Sequence, residues 1–261
     1  MLKQREIIKR AALEAGKIIL ATKPTENVKE KAGRANLVTE ADLKSENAIV
    51  ELINQHFPED LILSEETKSN IPNPLLAEKL WVVDPIDGTN NFRYERNYSC
   101  VSIAYAEKGV VQLGVVYDPF RDEMFYAEKM QGAFLNGKKI FVSKLKDLAR
   151  SVVASDNSYE SEGTKYNLEL FLKLNPAPWF LIKGSATLTM CEVAAGRIDL
   201  YFHNYLKPWD NAAAFLIVEE AGGVVRGISG NNANFMSESV ICGNEELVKN
   251  FVAGLGVAPS L

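Results

Sequence analysis

The chain has 261 residues, 47% hydrophobic and 24% charged, with a formal net charge of −5 and a pI near 5.3. A chain of that length can bury a sizeable core, and its acidic balance argues against phosphate-backbone binding as the main activity, because nucleic-acid affinity rests on clustered Lys and Arg. No apolar run approaches bilayer-spanning length, so the expected partners are small molecules, with neither membrane nor nucleic acid among them.

The opening "MLKQREIIKRAALEAGKIIL" carries Ile7, Ile8, Ala11, Ala12, Ala15, Ile18 and Ile19 at helical spacing. It reads as an amphipathic helix rather than a signal peptide, because charges run through its first ten residues. A second helix is expected over Glu40–His56, with Leu43, Ala48, Ile49, Leu52 and Ile53 on its apolar side, so two helices precede the first strands. "LILSEE" and "LWVVD" follow as strands. "CVSIAYAEKGVVQLGVVYDPFRDEMFYAEK" then reads as an antiparallel meander, punctuated at Lys108-Gly109 and Asp118–Asp122. "GAFLNGKK" resembles a phosphate-binding loop up to Lys139, where Ser or Thr is required. The strand-like "IFVS" follows in place of a helix, which favours a hairpin turn over nucleotide binding.

From Ser151 the texture changes to layered α/β: the strands "SVVAS" and "WFLIK" alternate with helical patterns at Ala186–Ala195, Asn211–Ala221 and Glu245–Ala253. No linker or internal repeat divides the chain, which reads as one globule of two subdomains, 1–148 and 149–261. Cys100, Cys191 and Cys242 form no CxxC pair, so neither a disulfide framework nor a zinc cluster is expected and the reducing cytoplasm fits. Cys191 reads as core, His56 as covering the end of its helix, and Trp179 and Trp209 as packing or substrate-wall residues rather than a cofactor box, with packing favoured.

The stretch "WVVDPIDGTNNF", Trp81 to Phe92, carries two aspartates three positions apart. Asp84 falls where the strand ends, Pro85 stops it, Gly88 permits a sharp turn and Thr89-Asn90 begin a helix. Two carboxylates so close repel unless a cation lies between them. Hard oxygen ligands suit magnesium, while the free amides of a helix start suit phosphate. Asp84 and Asp87 also read as turn formers bonded to their own backbone. Of Glu65 and Glu66 in "LILSEET", strand alternation lets at most one face the same cleft. Asp210 in "LKPWDNAAAFLIVEEAGG" is explicable as a helix cap, and Asp42 in "NLVTEADLKSE" as a first-turn acid.

In combination, "NLVTEAD", "LSEET", "WVVDPIDGTNNF", "GAFLNGKKI" and "PWDNAAAFLIVEEAGG" resemble the inositol monophosphatase family of magnesium-dependent, lithium-sensitive phosphatases, from about Asn36 to Gly223. The resemblance implies a layered α+β and α/β architecture, an αβαβα sandwich with an antiparallel sheet in the first half and a mixed sheet in the second. It implies hydrolysis of small phosphate monoesters by a metal-activated water, two or three Mg2+ ions per site, and a homodimer. By the same resemblance Glu65, Asp84, Asp87, Asp210 and the Ile86 carbonyl are metal ligands. Thr89 and Asp42, with Glu65, activate the water. Gly88 and Thr89 cradle phosphate, Gly184, Ser185, His203 and Asp210 meet the substrate, and Glu66 stays outside the ligand shell.

This chain departs from the family pattern at Asn36, where many members carry aspartate, and at Asn90, where threonine is usual. His203 stands where inositol-specific members carry glutamate, and Leu181 where arginine often stands. These changes leave the phosphatase core intact and loosen inositol selectivity, so fructose 1,6-bisphosphate, histidinol phosphate or a nucleotide 3′-phosphate are alternative substrates. A haloacid-dehalogenase mechanism is disfavoured, since its aspartates stand two apart and these stand three apart. A non-catalytic interaction role is the remaining alternative.

Overall fold

A computed structural model describes residues 1–24, 28–30, 37–67, 71–174 and 179–255; Asn36 lies outside them. Helix α1, Leu2–Ala21, buries Ile7, Ile8, Ala11, Ala12, Ala15 and Ile19 along one stripe and packs beside α2, Glu40–His56. Between the helices β1, Lys29–Glu30, pairs antiparallel with β2, Leu37–Val38, a short ribbon absent from the sequence expectation. The buried stripe of α2 also differs from the expected one. Leu43 is 44% exposed, while Asp42, Ser45 and Glu46 are buried beside Ile49, Leu52 and Ile53. The amino-terminal half of α2 thus turns a polar face inward, where function competes with simple amphipathicity.

Seven strands form the larger sheet: β3 Leu61–Ser64, β4 Leu80–Asp87, β5 Cys100–Glu107, β6 Val110–Asp118, β7 Glu123–Glu128, β8 Gly132–Leu135 and β9 Lys138–Lys139. They lie in chain order, antiparallel except for the parallel pair β3–β4. Two-residue turns join β5 to β6 at Lys108-Gly109 and β8 to β9 at Asn136-Gly137, all four residues having φ between +47° and +77°. Positive φ at both central positions matches the right-handed twist of a hairpin, so "GAFLNGKK" is a hairpin, as its sequence favours. Ile140–Ser143, strand-like in composition, joins no strand.

Side chains of the sheet alternate between two layers. Trp81, Val83, Val101, Ile103, Tyr105, Leu113 and Val115 meet α1 and α2. Leu80, Val82, Cys100, Ala104 and Val116 face the opposite way, against the pair α5, Ala186–Ala194, and α6, Pro208–Glu220. The hydrophobic runs on both faces reflect a sheet covered on both sides. Gly114 brings α6 close, because a Cβ there would stand 2.9 Å from the Ala213 carbonyl oxygen.

The smaller sheet has the order β11-β10-β12-β14-β13, built from β10 Val152–Ser155, β11 Trp179–Ile182, β12 Leu200–His203, β13 Val224–Arg226 and β14 Val240–Gly243. β11, β10 and β12 run parallel and β14 is antiparallel to both its neighbours, a mixed sheet. One face packs on α5 and α6, and the other carries Val153, Leu200 and Phe202 against Leu170 of α4, Ser161–Leu172, and Val248 and Phe251 of α7, Glu245–Gly254. The layers are therefore αβαβα. Cys191 is fully buried in α5. Trp179, expected to pack, is instead 69% exposed at the start of edge strand β11, and Trp209 is half-buried against the core. No described helix is long and apolar enough to cross a membrane.

Candidate active site

Strand β4 does not stop at Pro85. Asp84 lies opposite Ser102 and Asp87 opposite Cys100, so three steps along β4 match two along β5 and a bulge sits between them. In a regular strand, residues three apart point to opposite faces. The extra residue of the bulge rotates the chain so that both aspartates turn to one cavity. Gly88 then takes φ +88° and caps the short helix α3, Thr89–Arg93, a left-handed position that suits glycine.

Carboxylate oxygens of Asp84, Asp87 and Asp210 lie within 4.8 Å of one another. They line a cavity of about 520 Å3 together with Glu65, Ile86, Gly88, Thr89, Gly184 and His203. Asp210 is not the cap of its helix. It is the third residue of α6, where its Oδ2 accepts the Lys207 amide at 2.7 Å, while Thr187 Oγ1 donates to its carbonyl at 3.0 Å. Asp87 Oδ2 accepts Ser185 Oγ at 2.5 Å and the Thr187 amide at 2.9 Å. Asp84 Oδ1 accepts the Ile86 amide at 3.0 Å.

Burial raises the carboxyls of all three aspartates above their ordinary range. Repulsion from Glu65, Asp87 and Asp210 adds to the effect at Asp84, and repulsion from Asp87 and Glu65 adds to it at Asp210. At Asp87 the donors Ser185 and Thr187 oppose the burial. Crowded, dehydrated oxygens of one sign are relieved by a small hard cation. The donor set is all oxygen, and both features fit magnesium.

Behind the carboxylates, Asp42 is likewise the third residue of its helix, α2, its Oδ2 accepting the Thr39 amide at 2.7 Å and Thr39 Oγ1 at 2.5 Å. Its Oδ1 lies 3.1 Å from Thr89 Oγ1, and that hydroxyl is also 3.1 Å from the Ile86 carbonyl. Burial pushes the Asp42 carboxyl up to about 6, against the pull of the Thr39 donors. Glu46, unremarkable in the sequence, accepts from Ser64 Oγ, Thr67 Oγ1 and, at 2.9 Å, the Glu66 amide, and so holds the segment that carries Glu65.

Two expected substrate contacts stand differently. Ser185 is buried behind Asp87, its hydroxyl spent on that carboxylate. His203 is 4% exposed, and neither ring nitrogen has a hydrogen-bond partner; the backbone of Asp156 and Asn157 lies near the ring but out of hydrogen-bond geometry. Burial lowers the His203 imidazole to about 4, so it is neutral at physiological pH. Leu181 packs against the core. Sequence reasoning misses Tyr159 and Tyr205, which line the cavity. Tyr205 takes φ +71° and lays its ring against Gly163, where a Cβ would meet Tyr205 Cδ2 at 2.8 Å.

The family model described as "Inositol monophosphatase family" matches residues 3–255. The chain is 35% identical over 250 residues to Nus factor SuhB of Salmonella typhimurium, covering 94% of this chain and 93% of that one. It is 39% identical over 228 residues to a fructose-1,6-bisphosphatase/inositol-1-monophosphatase of Thermotoga maritima, covering 86% of each. Its fold matches the crystal structure of extragenic suppressor protein SuhB from Bartonella henselae with a TM-score of 0.90 at 32% identity, over 97% of this chain and 98% of that one.

Proposed function

Because the chain belongs to the inositol monophosphatase family, we propose that it hydrolyses small phosphate monoesters by in-line attack of water, with magnesium held by Glu65, Asp84, the Ile86 carbonyl, Asp87 and Asp210. The observation that carries this reading is the group of Asp84, buried, with Asp87 and Asp210, half-buried, within 4.8 Å of one another, opening on a cavity large enough for a phosphorylated sugar or polyol. Bound magnesium supplies neutralisation of the phosphoryl oxygens and a lower pKa for the attacking water. The chain's own part is orientation. Thr89 has one proton and two acceptors at equal distance; donating it to Asp42 leaves the hydroxyl oxygen free to accept from water, and Asp42 is the sink for the proton that water loses. The amides of Gly88, which caps α3, and of Thr89, its first residue, have no partner inside the helix and suit the phosphate.

The alcohol half of the substrate meets a different wall. His203, with covered nitrogens, offers a polyol no hydrogen bond where the family's inositol-specific members carry glutamate. The reading is therefore a broad phosphatase with no privileged inositol preference, in keeping with a relative named for two substrates. Comparing kcat/KM on inositol 1-phosphate, fructose 1,6-bisphosphate, histidinol phosphate, an adenosine bisphosphate and glycerol 2-phosphate tests it. Wild type is expected to spread its activity, and His203→Glu to shift the ranking toward inositol 1-phosphate by about fivefold, one hydrogen bond's worth. A strong inositol preference in the wild type, or an unmoved ranking, contradicts the reading. Relatives named Nus factor favour a second reading, an interaction role carried by the same fold. The acidic set argues that chemistry accompanies any such role.

A further inference from the structure

Asp156 lies one residue beyond the end of β10, outside every motif of the sequence, yet it is 6% exposed and fully engaged. One oxygen, Oδ1, accepts the amides of Lys183 at 2.9 Å and Gly184 at 2.5 Å, and the other accepts Tyr201 Oη at 3.2 Å. The turn it holds has Gly184 at φ +81° and is gripped from its other side by Asn91, whose Nδ2 donates to the Lys183 carbonyl at 2.8 Å. Ser185 follows directly, with its hydroxyl on Asp87 Oδ2, and the Thr187 amide reaches the same oxygen. A continuous chain of hydrogen bonds therefore runs from Asp156 through the 183–187 backbone to Asp87. The Ser185 and Thr187 donors, with the Cys100 thiol at 3.9 Å, fix Oδ2 of Asp87, and losing hydrogen bonds of this outer kind typically costs about 10–100-fold in metal affinity.

We propose that Asp156 is a positioning residue for magnesium: it pins the 183–184 turn so that Ser185 and Thr187 hold Asp87 in the orientation that binds the cation. The inference rests on Asp87 being a metal ligand, as proposed above. Neither a charge nor a proton on Asp156 is required, only an acceptor at the Oδ1 position. That separates the proposal from a general electrostatic effect.

Calorimetric titration of the folded, metal-free protein with MgCl2 tests it without recourse to turnover. Asp156→Ala is expected to weaken magnesium binding on the order of tenfold, the lower end of what outer-shell changes cost. Asp156→Asn, whose carbonyl oxygen can still accept both amides while its NH2 meets Tyr201, restores binding to within about twofold. Ser185→Ala weakens binding similarly. The double substitution Asp156→Ala with Ser185→Ala is less than additive, because part of the Asp156 effect passes through the Ser185 hydroxyl that the second substitution removes. If Asp156→Ala does not fold, Asp156→Ser, too short to reach both amides, takes its place. Unchanged magnesium affinity in these variants, full additivity with Ser185→Ala, or an Asn variant as impaired as Ala overturns the proposal. A wild type that binds no magnesium overturns instead the functional reading beneath it.

Discussion

Thr89 and Glu46 show what single residues contribute here. Removing the Thr89 hydroxyl takes away the group proposed to orient water but no proposed metal ligand. Thr89→Ala should therefore keep magnesium binding by calorimetry and lose about a hundredfold or more in kcat, with Thr89→Ser restoring much of the rate. An unchanged rate reduces Thr89 to a helix-start residue. Glu46→Ala leaves two hydroxyls and an amide without their acceptor, and a loss of about 1–3 kcal/mol is expected from denaturant melts, together with weaker magnesium binding through the loosened Glu65 segment. Stability within about 0.5 kcal/mol of wild type rules that role out. Asp84 and Asp87 are legible in the sequence because crowding of like charges is a local pattern. Glu46 and Asp156 are not, since their partners lie 20 and 28 positions away and only the fold brings them together.

At the scale of elements, the site depends on how β4 ends. Pro85 reads as a strand breaker, yet pairing with β5 carries the strand through a bulge to Asp87. The signal for that lies in the partner strand, not in the local residues. Helix α2 is found at the residues its periodicity gives, but its inward face is misread, because burial of Asp42, Ser45 and Glu46 is decided by the site they approach. Short-range turn chemistry is read well: Lys108-Gly109 and Asn136-Gly137 form the hairpins their composition predicts. Gly88 is the element-scale test. A Cβ there would stand 3.0 Å from the Tyr98 carbonyl and 3.1 Å from Ser185 Cβ, on a backbone at φ +88°. Gly88→Ala is expected to cost at least about 1–2 kcal/mol from the left-handed backbone alone, read as a lower thermal midpoint, and to weaken magnesium binding by pressing on Ser185. A midpoint within 1 °C of wild type contradicts this.

For the whole molecule, the sandwich buries several carboxylates whose folded pKa values lie above their unfolded ones: Asp42 and Asp156 at about 6, Asp84 and Asp210 raised well above the ordinary range. The folded state then holds more protons than the unfolded state, so the metal-free protein should gain stability as pH falls from about 7 to about 5, through the folded values of Asp42 and Asp156. Below about 6.5, His203, lowered to about 4, opposes the gain, because the unfolded chain takes up a proton that the fold refuses. Saturating magnesium should flatten or reverse the trend, since the cation binds deprotonated carboxylates. Urea melts in EDTA and in MgCl2 check both, and a metal-free protein that loses stability over that window contradicts the account. The carboxylate group is proposed as a magnesium site for phosphate ester hydrolysis. Its most direct test is steady-state phosphate release from inositol 1-phosphate and fructose 1,6-bisphosphate, followed as MgCl2 is returned to chelated wild type and chelated Asp87→Asn. Release should depend on magnesium in the wild type and fall by at least about a hundredfold in the folded variant; turnover by chelated wild type, or full turnover by Asp87→Asn, would rule the magnesium site out.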